Sequence, residues 1–133
     1  MKAALLLTLL ATPAAADDLL FFHSPSRNIH CLIANGEYAE ARCDMRALTP
    51  SHTTAPPDCE LDWGASFAVA PESRKGYLAC VGDTVEVPES VELGYGQSLS
   101  LGGLTCTSEK TGVSCTNPAG HGFALAKAKQ KLF

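Results

Sequence analysis

The chain has 133 residues, of which 46% are apolar, and carries ten Lys and Arg against fourteen Asp and Glu. The length suits one domain. A formal net charge of −4 argues against nucleic acid or an anionic membrane surface as partner, since either would call for a basic patch.

Lys2 is followed by the apolar run Ala3 to Leu10 and then by Ala11-Thr12-Pro13-Ala14-Ala15-Ala16. A positive start, a short apolar core and a small-residue end form the pattern of a cleaved secretory signal. The apolar run is roughly half of the ~20 residues that cross a bilayer, so no membrane span is expected. Cleavage is expected after Ala16, giving a soluble, periplasmic or secreted domain of residues 17–133. Asp17 and not a cysteine stands directly after the cleavage point, so no lipid anchor is expected there.

Next comes the apolar run Leu19 to His23, broken at Ser24-Pro25-Ser26. Asn28 to Ala34 and Tyr38 to Met45 read as strands around the turn signal Asn35-Gly36. Thr49 to Asp58 is a proline-rich polar loop. Trp63, Phe67 and Val69 mark a strand, and Pro71 to Gly76 make a turn into Tyr77 to Val81. Further short strands are expected at Val85 to Val87, Val91 to Tyr95, Gln97 to Leu104, Val113 to Thr116 and Gly122 to Lys127. The tail Ala128 to Phe133 is expected to form a helical turn. Its lysines 127, 129 and 131 read as a solvated edge. Short strands separated by Gly, Pro, Asn and Asp predict an all-β domain, a small antiparallel sandwich or barrel.

All six cysteines, Cys31, Cys43, Cys59, Cys80, Cys106 and Cys115, follow the signal. An even count in a small exported chain reads as a disulfide framework, although six cysteines allow fifteen pairings. Geometry selects one pair. If Glu109 to Gly112 form a four-residue loop, Ser108 faces Val113 and Cys106 faces Cys115, close enough to bridge. Cys31 and Cys43 repeat the arrangement only if the loop at Asn35-Gly36 is longer than two residues or bulged. Cys59 would then be left with Cys80 and must fold back to reach it. No C-x-x-C occurs, so zinc and redox readings lack their usual spacing.

A faint internal repeat relates Trp63-Gly-Ala-Ser-Phe-Ala-Val69 to Tyr95-Gly-Gln-Ser-Leu-Ser-Leu101. With the Cys31–Cys43 hairpin as a third copy, units of about 39 residues would fit a β-trefoil, the alternative architecture.

Several motifs in order carry a resemblance: Ser24-Pro25-Ser26-Arg27-Asn28-Ile29-His30-Cys31, Cys59-Glu-Leu-Asp62-Trp63-Gly64, Cys80-Val-Gly-Asp83-Thr84, Tyr95-Gly96, Gly112-Val113-Ser-Cys115 and Gly120-His121-Gly122-Phe123. Together they make the mature chain resemble a small family of exported bacterial domains of unknown function. The resemblance implies one exported, cysteine-bridged domain and no particular activity. The family pattern has glycine where this chain has Arg27. A site needing positive φ would strain an arginine, so the turn is expected to differ locally.

Among chemical candidates, His121 stands between two glycines that permit close approach, and imidazole can donate, accept or bind a metal. The simpler alternative is a structural histidine bonded to a turn carbonyl. Asp58, Glu60 and Asp62 cluster beside Trp63 but alternate as solvent-facing residues do. Asp83-Thr84 reads as a turn. His23, His30 and His52 make no ligand spacing with one another. There is no nucleophile elbow, phosphate loop or dinucleotide fingerprint. The reading that follows is a monomeric, non-catalytic binding module. It would recognise an extracytoplasmic protein or an envelope glycan through Trp63, Tyr77, Tyr95 and His121, with no cofactor and no metal. The alternatives are a small hydrolase pairing His121 with Asp83 or Asp62, and a structural envelope protein.

Overall fold

The computed structural model describes residues 18–133, so the expected signal and its cleavage point lie outside the described residues. Two sheets form the domain. The first contains β1 (Leu19–His23), β2 (Ile29–Ala34), β3 (Glu40–Met45), β4 (Ser66–Val69), β5 (Tyr77–Leu78) and β6 (Val91–Glu92). Their order is β5-β4-β3-β2-β1-β6, antiparallel except where β6 joins β1 in parallel. The second is an antiparallel meander of β7 (Ser98–Leu101), β8 (Leu104–Glu109), β9 (Gly112–Thr116), β10 (Gly122–Ala126) and β11 (Lys129–Leu132). No helix among the described residues is long and apolar enough to cross a membrane.

Alternation places the core. In β3 the inward residues Ala41, Cys43 and Met45 are buried while Glu40, Arg42 and Asp44 face outward, and β8 repeats this with Leu104, Cys106 and Ser108 inward. Phe22, Ile33 and Phe67 of the first sheet meet Leu104, Val113 and Phe123 of the second in one core. The two sheets are therefore an open sandwich, and the strands do not close into a barrel.

All three bridges are present. Cys31–Cys43 and Cys106–Cys115 join directly opposed strand positions, each with Cα atoms 4.1 Å apart. Between the sheets the sulfurs of Cys43 and Cys115 lie 3.8 Å apart. Both are already bonded, so this is a dispersion contact with no proton to share. Cys59–Cys80 closes a loop outside the core, beside an isolated bridge between Asp62 and Val81.

Loop length sets both hairpin registers. Ala34 pairs with Glu40, leaving the five-residue loop Asn35 to Ala39, longer than the two-residue turn its Asn-Gly signal suggests. Ser108 faces Val113 as expected, but the connection is tighter than four residues: Glu109 still pairs with Gly112 around Lys110-Thr111.

Four expectations need correction. Val85 to Val87 is not a strand; it belongs to a strap described below. Gln97 to Leu104 is not one strand, because Gly102 and Gly103 take φ values of 59° and 83° and turn the chain between β7 and β8. The tail forms strand β11 instead of a helical turn, with Gln130 buried between exposed lysines. The trefoil is replaced by two sheets. What repeats is a turn: Gly64 and Gly96 both have positive φ, 99° and 82°, and each leads into a strand. One strand is interior to the first sheet and the other is an edge of the second.

Gln130 also fixes the proline-rich loop. Its side chain accepts from the Ser51 amide at 2.9 Å and donates to the Thr49 carbonyl at 3.2 Å, while His52 Nε2 donates to its backbone carbonyl at 3.0 Å. At the far edge, the Phe133 carbonyl accepts from the amides of Gly76 and Gly122, tying the start of β5 to β10.

Candidate functional site

The outward face of the first sheet carries a polar row across four strands. Pairing puts His23 opposite His30, His30 opposite Asp44, and Asp44 opposite Ser66. His23 and His30 have no ligand spacing in the sequence, yet, seven positions apart, they are neighbours across the β1–β2 hairpin. The signal that could have revealed them is the hairpin itself, since a tight Ser-Pro-Ser-Arg-Asn turn forces the flanking histidines into register.

Residues 83–90 cross this row as a strap. Arg42 donates to the Asp83 carbonyl at 2.5 Å, and the Val85 amide donates to Asp44 at 3.0 Å. Arg46 pairs with Glu86. The Ser90 hydroxyl is 2.8 Å from His23 Nδ1. Asp44 also binds Arg42 in a two-pronged ion pair. This carboxylate is fully engaged in holding the strap and is not available to activate a histidine.

Beside the strap is a cleft of about 390 Å³ lined by His23, Arg27, His30, Glu86 and Ser90. His23 and His30 are only 5% and 4% exposed. Their ring centres are 5.7 Å apart. Burial lowers the pKa of both. For His23 the Arg27 charge adds to the effect. For His30 the bond to the Arg27 carbonyl works against it.

The turn that pairs the histidines also separates two clefts. Ser24 Oγ accepts from the Ile29 amide at 3.2 Å, and the Asn28 side chain exchanges two hydrogen bonds with the Ala47 backbone. Arg27 sits in this turn at φ 60°, so the site does require a left-handed residue and the arginine occupies it under strain. On the turn's other side is a groove of about 330 Å³ between the sheets, lined by Ser26, Asn28, Tyr95, Lys110 and Lys127.

The residues singled out in the sequence are dispersed. Tyr95 is half exposed and lines this groove. Trp63 is partly exposed beside the Asp62–Val81 bridge. Tyr77 lies on edge strand β5 and donates to Glu40 at 2.9 Å; burial and then the adjacent carboxylate push its phenol far above its ordinary pKa. The His121 carbonyl accepts from the Asn117 amide and the His121 amide donates to Asn117 Oδ1, while its ring bonds no carboxylate among the described residues. Asp62 and Asp83 line a different, shallower cleft. No cluster of three or more His, Cys, Asp and Glu able to hold a metal occurs among the described residues.

The description "Family of unknown function (DUF6636)" matches residues 3–133. No curated protein and no solved structure matches the chain.

Proposed function

The chain belongs to this family of unknown function, and we propose that it is an exported, non-catalytic binding module whose recognition surface surrounds the Ser24–Asn28 turn. The observation that carries this reading is the turn itself. It is braced by side chain-to-backbone bonds and separates two preformed clefts, one of them floored by the exposed ring of Tyr95. Preformed concavities with a few fixed polar groups suit binding, because little ordering is needed on association. Three disulfides, two in the core and one at the surface, are consistent with an oxidising, extracytoplasmic compartment. The ligand we favour is a protein segment or an envelope glycan laid against Tyr95, with Lys110 and Lys127 at its edge. The hydrolase reading has less support. Catalysis would need His121 beside a carboxylate, and among the described residues its ring has no such partner.

Thermal unfolding of the oxidised protein against envelope glycans, muropeptides and extracytoplasmic proteins tests this. A ligand at ~100 times its dissociation constant stabilises a fold by about 2.7 kcal/mol, a shift of several degrees for a domain this small. Tyr95→Ala is expected to abolish that shift and move the unliganded midpoint by no more than about 2–3 degrees, because the ring is half exposed. A ligand that shifts both proteins equally would place recognition elsewhere, and no shift from any class would favour a structural role.

A further inference from the structure

Each histidine of the pair is fixed at one nitrogen by an oxygen. His30 Nε2 lies 2.9 Å from the Arg27 carbonyl and His23 Nδ1 lies 2.8 Å from Ser90 Oγ. A carbonyl only accepts, so His30 carries its proton on Nε2 and leaves Nδ1 as a bare lone pair. When His23 donates to the serine hydroxyl, its Nε2 is bare as well. These two nitrogens, His23 Nε2 and His30 Nδ1, are buried and have no hydrogen-bond partner. Buried polar atoms are nearly always paired, so two unpartnered lone pairs on adjacent rings that line one cleft mark a candidate ligand site. Anchoring one imidazole nitrogen on oxygen while the other keeps its lone pair is how metal-binding histidines are held.

We propose that His23 and His30 form a two-imidazole site for monovalent copper. Spacing allows it: an ion about 2.0–2.1 Å from each nitrogen sets ring centres roughly 6.4 Å apart when the nitrogens face each other across it and closer when the angle bends, and these are 5.7 Å apart, so the ion would be held at a bent angle. Ligand number selects the ion. No third protein ligand completes a cluster here, which disfavours zinc with its four-ligand preference. Imidazole suits copper, and the monovalent ion is content with two nitrogens. All six cysteines are bridged, so no thiol competes for the ion within the chain. This site goes beyond the binding reading above and does not depend on it.

The test is competition. The oxidised protein is titrated with Cu(I) held by a chromophoric chelator under ascorbate, and separately with Ag(I) by calorimetry without reductant. One ion per chain should be withdrawn, with a rise in unfolding temperature. His23→Gln and His30→Gln keep a polar group of similar size, and each should weaken binding at least 100-fold. Ser90→Ala lies on the strap and removes only the anchor of His23, so it should weaken binding about tenfold and leave the fold intact. Failure of the parent protein to withdraw copper, or unchanged affinity in both glutamine variants, would overturn the site. A stronger response to Zn(II) than to Cu(I) would overturn the choice of ion.

Discussion

Arg27 holds a backbone conformation that costs an L residue roughly 1–2 kcal/mol and glycine almost nothing. Arg27→Gly is therefore expected to stabilise the fold by about 0.5–1 kcal/mol, offset in part by the greater freedom glycine has when unfolded. Chemical denaturation would show it as a higher midpoint at unchanged slope, and a lower midpoint would mean that the guanidinium makes a contact worth more than the strain. The buried histidines give a second expectation. Their folded pKa values lie below the unfolded value near 6.5. Above that pH neither state is protonated and their contribution is constant. Below it the unfolded chain binds protons that the fold refuses, so stability falls with a slope of at most about 1.4 kcal/mol per pH unit for each histidine. Denaturation of the metal-free protein between pH 7.5 and 5 checks this, and His23→Gln with His30→Gln together should flatten that part of the curve. A slope unaltered by the double substitution would place the titrating groups elsewhere.

At the scale of elements, the hairpin bridge Cys106–Cys115 and the loop bridge Cys59–Cys80 set two effects against each other. Chain entropy favours the longer loop: sequence separations of 9 and 21 correspond to roughly 2.6 and 3.3 kcal/mol. Burial favours the hairpin bridge, whose sulfurs fill the space between the sheets and would leave a cavity worth a further 1–3 kcal/mol. Cys106→Ala with Cys115→Ala is expected to lose more stability than Cys59→Ala with Cys80→Ala, and the reverse order in urea unfolding would show that the sheets close up over the missing sulfurs. How much of this was legible follows from range. Alternation in Glu40–Met45 and the loop length between Ser108 and Val113 are local, so faces and register could be read from the residues. The strap bond from Ser90 to His23 spans 67 residues and the β6–β1 pairing joins Phe22 to Val91, so neither leaves a local trace. The tail misleads for a different reason. Ala, Lys and Gln favour helix, but Gln130 finds amide partners in the distant Thr49–Ser51 loop that only an extended strand presents.

For the whole molecule, the site depends on how two sheets are held. The outer face of the first sheet carries the histidines, and the groove with Tyr95 exists only because the second sheet packs behind the Ser24–Asn28 turn. The aromatic residues visible in the sequence could be named one by one, but their separation onto different elements could not. The pairing of the bridges has a further consequence for how such a chain matures. First joins second, third joins fourth and fifth joins sixth, so each cysteine finds its native mate as the next one to emerge. An oxidase working on a chain that is threaded through a membrane from its N-terminus would make the correct bonds in passing. Cys43 and Cys115 come within exchange distance only after the sheets have met, when each already has its partner. If the chain is exported, oxidation in order of emergence is expected to give the native pairs without a disulfide isomerase.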